Sequence, residues 1–150
     1  GNVLNTSRQQ AVADRLRAQG LALGPDRVHG NAFSLEAGQA AADWVAGLSP
    51  RPTAVVCASD QLAIGLTSGL NAHGLRVPDD VSIIGFDDIA TSAYVLPALT
   101  TIRQDRPGLG AAAARMLLSR LDGSDCPDTE VVTLPVELCV RASTGPGPGA

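Results

Sequence analysis

The chain has 150 residues, of which 45% are hydrophobic and 17% charged, with a formal net charge of −4. That length suits a single domain or a portion of a larger protein, and it allows about two-thirds of the unfolded surface to be buried. The composition excludes a disordered chain, and no apolar run approaches the ~20 residues a membrane span needs. All eleven basic residues are Arg, and the acidic balance argues against this segment itself gripping duplex DNA. Aromatic residues make up only 3%, so the core has to be built from Ala, Val, Leu and Ile. Cys57, Cys126 and Cys139 are odd in number and widely spaced, which fits neither a disulfide framework nor a zinc site. Cys57 lies in an apolar run and reads as a buried, reduced thiol. Residues 1–10 lack the charged-then-apolar pattern of a secretory signal. Together these features point to the reducing cytoplasm.

In chain order, residues 7–19 have helical spacing of Ala11, Val12 and Leu16, and Gly20 ends the helix. Residues 27–33 read as a short strand. Ser34 is an N-cap and Glu36 sits in the first turn of an Ala-rich helix running to about Leu48, broken by Pro50 and Pro52. Residues 53–58 (TAVVCA) form a continuous apolar strand. Asp60 then reads as an N-cap for a helix over 61–73, which Gly74 stops. Residues 77–80 make a turn, 81–86 (VSIIGF) a second buried strand, and 87–98 a loop or a short turn of helix. A short strand is expected at 99–103, a helix at 106–121, strands at 131–134 and 137–140, and a flexible tail over 144–150. The alternation of helix and strand predicts an α/β fold, with a parallel sheet covered by helices on both faces. Ligands of such sheets bind beyond the carboxyl ends of the strands, where Asp60, Asp87 and Asp88 fall.

Little in the chain suggests catalysis. His29 and His73 are the only histidines, and both read as structural. The segment Gly65 to Gly69 is no nucleophile elbow, because it lies within a helix. There is no HExxH and no Walker loop. The GxGxxA pattern from Gly108 to Ala113 follows no clear buried strand, so its glycines read as a closely packed helix start. Asp87 and Asp88 leave two readings open, a solvated turn or carboxylates aimed at a small polar ligand. Two adjacent carboxylates alone are a thin shell for a metal. Trp44 reads as core. Phe33, at the end of its expected strand, is either core or a ring that stacks on a sugar or base.

Four blocks carry a resemblance: TAVVCASDQLAIGLTSG (53–69), GLRVPDDVSIIGFDD (74–88), PALTTIRQDRPGLG (97–110) and LPVELCVRAST (134–144). In order and spacing the chain resembles the LacI/GalR family of bacterial transcription regulators. The resemblance implies an incomplete type I periplasmic-binding-protein-like lobe, mainly the carboxyl-terminal one of two. Residues 104–122 would cross toward the first lobe, and the helix-turn-helix, hinge and first strand of the lobe would lie outside the chain. It implies a small-molecule effector, most often a sugar, held by Arg8, Phe33, Ser59, Asp87 and Gln104, with no cofactor and no metal. Phe33 would stack on the ligand, Asp87 would fix its hydroxyls, and Ser59 stands where sugar-binding members often carry Asn. Effector binding would alter DNA binding by a homodimer whose surface includes Leu62, Ile64 and Tyr94 to Leu96. Two rivals remain at this point. One is the sugar-binding component of an ABC transporter, which shares the fold; the other is an α/β enzyme, which the missing catalytic constellations disfavour.

Overall fold

The computed structural model describes residues 3–30, 32–122 and 131–147, with side chains from Thr6 onward. Cys126 lies outside the described residues. The elements are α1 (Val3–Arg17), a 3-10 turn (Pro25–Arg27), α2 (Leu35–Gly47), β1 (Ala54–Val56) and α3 (Asp60–Ala72), followed by β2 (Ser82–Asp87), a second 3-10 turn (Ala90–Ala93), β3 (Thr100–Gln104), α4 (Arg106–Leu121) and β4 (Val136–Cys139). The four strands form one sheet in the order β1-β2-β3-β4.

The apolar run of β2 places it at the centre of this sheet. It pairs in parallel with β1 (Val55 opposite Ile83) and with β3 (Phe86 opposite Ile102). β4 pairs antiparallel with β3, Leu138 opposite Ile102, so the sheet is mixed rather than wholly parallel. An antiparallel edge on an otherwise parallel sheet is a common arrangement.

Helices α2 and α3 pack on one another and on the sheet. Ser34 caps α2 as expected, its Oγ accepting the Ala37 N–H at 3.2 Å. The backbones of the two helices touch: a Cβ on Gly65 would run into the Leu35 carbonyl, and one on Gly38 into the Leu62 carbonyl. Below them Val45, Leu66, Leu70, Val81, Ile83 and Leu99 form the core. Gly74 closes α3 in the left-handed conformation (φ 72°), and the Leu75 N–H reaches back to the Leu70 carbonyl. That is the helix stop glycine permits without Cβ strain.

Several expectations fail. The described residues of 27–33 form no strand. Pro25 opens a 3-10 turn there, Gly30 is left-handed, and no described strand lies beyond β1 to pair with the segment. The TAVVCA run is ordered as a strand over only three residues, at the sheet edge, with Val56 59% exposed rather than covered on both faces. A strand paired on one side only leaves its other edge without a ladder, and β1 has β2 as its single partner among the described residues. Residues 131–134 are irregular, and the last strand begins at Val136. The start of the expected tail is anchored: Thr144 bonds Thr100 through their hydroxyls, and the Gly145 N–H donates to Ser82 Oγ at 3.1 Å.

Candidate functional site

The carboxyl ends of β2 and β3 lie side by side, and the residues that follow them carry the polar chemistry. Asp87 ends β2 and Gln104 ends β3; Gln104 Nε2 donates to Asp87 Oδ1 at 2.7 Å. Asp87 and Asp88 both have positive φ, 117° and 48°. Non-glycine residues rarely take that conformation, so the surroundings must hold it. Partial burial raises the Asp87 carboxyl above the usual carboxylate range, Arg8 pulls it down, Asp60 pushes it up, and Arg106 and the Gln104 bond pull it down again.

Arg8 reaches the same place from α1. Its guanidinium donates to the Ala58 carbonyl at 2.6 Å and lies 3.7 Å from the centre of the Phe86 ring, a cation–π contact. Ser59 follows Ala58, is buried, and caps α3 by accepting the Leu62 N–H at 3.3 Å. Arg8, Ser59, Asp87 and Gln104 thus belong to one end of the sheet. Phe33 does not join them among the described contacts. It precedes the Ser34 cap in an irregular stretch, and the strand that would have aimed it is absent.

Two acids have roles other than those expected. Ser59, not Asp60, is the cap; Asp60 is fully buried. It accepts the Ile89 N–H at 2.9 Å and the hydroxyls of Ser92 and Thr101. Asp88 is neither a solvated turn residue nor open to a ligand. Its carboxylate pairs with Arg103 and Arg141, each at 2.6 Å. Burial alone would raise that carboxyl, but the two arginine bonds hold it below the usual range.

Phe86, Thr101 and Arg106 escaped sequence reasoning. Phe86 reads as one more apolar residue of β2, yet it carries the Arg8 guanidinium; its place beside Asp87 was the available signal. Arg106 donates to the Asp88 carbonyl at 3.0 Å from the first turn of α4. The Gly108 pattern is resolved as a helix start, the Gly108 N–H donating to the Asp105 cap. His73 pairs with Asp43, and His29 stacks on Trp44 with ring centres 4.7 Å apart. Among the described residues no three His, Cys, Asp or Glu side chains form a group that could hold a metal ion.

The carboxyl ends of the parallel strands thus gather an arginine, a carboxylate and an amide, at the end of an open α/β sheet where ligands bind in such folds. Residues 1–144 match the periplasmic binding protein-like domain, and the chain belongs to that family, in the form carried by LacI/GalR transcription regulators. It is 42% identical over 140 residues to the HTH-type transcriptional regulator MalR of Streptomyces coelicolor, which covers 93% of this chain and 40% of that protein. A LacI family transcriptional regulator from Lactobacillus casei with bound sucrose is 34% identical with a TM-score of 0.79, matching 93% of this chain and 51% of its own. The transcriptional regulator CelR in complex with cellobiose is 30% identical with a TM-score of 0.86, matching 92% and 42%. The chain therefore spans about 40% of the length of the curated relative, and all three relatives are transcriptional regulators.

Proposed function

We propose that the chain is the effector-binding and dimerisation part of a LacI-type repressor that senses a sugar. The observation that carries this reading is the Asp87–Gln104 pair beside Arg8, at the carboxyl ends of the central strands. Asp87 Oδ2 accepts sugar hydroxyls, and Arg8 supplies guanidinium donors from α1. Ser59 adds a hydroxyl, and Phe33 closes over the sugar from its loop. Sucrose and cellobiose in two related structures support the ligand class.

In this reading α4 crosses to a second lobe, where its exposed Leu117, Leu118 and Leu121 find cover. A homodimer forms over Ile64, Tyr94 and Leu96, of which Tyr94 is 85% and Leu96 89% exposed. The operator is read in the cytoplasm by a helix-turn-helix in the remainder of the protein, and sugar binding shifts the population of lobe arrangements that present it. The test is thermal melting of the whole protein with a panel of mono- and disaccharides including sucrose and cellobiose. A stabilising sugar is expected, and Asp87→Ala should abolish its shift while leaving the ligand-free melting temperature within a few degrees. An unchanged shift in Asp87→Ala removes Asp87 from the site.

A further inference from the structure

The backbone that presents Asp87 is unfavourable in isolation, and one buried carboxylate accounts for its persistence. Asp60, at the first turn of α3, takes three donors. The Ile89 N–H reaches Oδ2 at 2.9 Å, Ser92 Oγ reaches Oδ2 at 2.6 Å, and Thr101 Oγ1 reaches Oδ1. A carboxylate only accepts, so the Thr101 proton is committed to it. That leaves the Thr101 oxygen free to accept, and it takes the Asp88 N–H at 3.4 Å. Asp60 thus holds Ile89 directly and Asp88 through Thr101, which pins the two peptide groups that follow Asp87. Thr101 is fully buried on β3, and Gly85 on β2 leaves the space Asp60 occupies, since a Cβ there would meet Asp60 Oδ1. Water does not compete for these bonds, and in such surroundings each is hard to replace.

We propose that Asp60, acting through Thr101, is a positioning residue for effector recognition: it fixes the left-handed turn at Asp87 and Asp88 and so aims the Asp87 carboxylate at the ligand. The inference rests on the reading of Asp87 as a sugar contact. It extends that reading to two buried residues that touch no ligand themselves.

The test uses the whole protein with Thr101→Val, which keeps the shape and removes the hydroxyl, and Thr101→Ser, which restores it. Two measurements are made on each. The first is affinity for the sugar that stabilises the wild type, with sucrose and cellobiose as the starting probes. The second, made without ligand, follows Asp87 by NMR titration of its side-chain carboxyl carbon. Thr101→Val should weaken sugar binding by about tenfold or more, the equivalent of one lost buried bond. It should also move the Asp87 titration toward that of a free aspartate, and Thr101→Ser should recover both. A Thr101→Val protein that melts earlier yet keeps wild-type affinity and Asp87 titration overturns the proposal, leaving Asp60 a structural tie. If no sugar binds the wild type, the ligand reading fails, and the Asp87 titration alone still decides whether Thr101 sets that carboxylate. Should Thr101→Val not fold, Asp60→Asn is measured in the same way, with the same two outcomes.

Discussion

The two flanks of this molecule are built differently. Helices α2 and α3 share their backbones and between them bury Gly38, Ala42, Val45, Asp60, Ala63, Gly65, Leu66, Gly69 and Leu70. By contrast α4 buries only Ala112, and α1 fully buries nothing from Thr6 onward. Helix α4 is not polar: Leu109, Leu117, Leu118 and Leu121 are all exposed. Among the described residues these leucines meet no packed surface, and the proposed crossing to a second lobe would give them one. The α2–α3 pair is thus a closed core, while α4 carries exposed leucines. The candidate site draws Asp87 and Gln104 from the sheet and Arg8 from the sparsely packed α1.

This contrast can be broken by measurement. Leu70→Ala on the closed flank should cost about 3 kcal/mol in urea unfolding, since the side chain is fully buried and the tight α2–α3 contact resists collapse into the void. A loss below ~1 kcal/mol would mean that flank is not close-packed. Asp88→Asn should have an intermediate effect of about 1–2 kcal/mol at neutral pH, because it weakens two charge-assisted bonds at a mostly buried site. The sign with pH follows from its lowered pKa. Its stabilisation is complete above the ordinary aspartate range and disappears as pH falls through the folded-state value, so wild type and variant should converge in strong acid. A gap that persists at pH 2 would show that shape, not charge, holds Asp88. Leu118→Ala on the open flank should change the stability of this chain by less than ~0.5 kcal/mol, the side chain being 57% exposed. A larger loss would place α4 against a surface of its own chain.

The sequence was most readable where local chemistry decides the outcome. Ser34 caps α2, Gly74 ends α3 and the VSIIGF run forms β2, because capping, left-handed stops and apolar runs are properties of a few adjacent residues. The strand expected at 27–33 and the two-sided burial expected of TAVVCA both failed, because strand partners and sheet position are not written in the segment, although TAVVCA does supply β1. The site divides in the same way. Asp87 could be found from its place after a buried strand. The work of Asp60 depends on Ser92 and Thr101, 32 and 41 residues away, and no local pattern announces it. Arg8 and Phe86 met for a similar reason, across a separation only the fold closes.

The outer side of β1 has a practical consequence. Ala54 and Val56 present an open row of backbone groups with small apolar side chains and no flanking strand among the described residues. Natural edges are commonly defended by lysine, and this chain contains none. The strand is only three residues long, itself a protection, so the open edge limits a further extended segment to a short ladder.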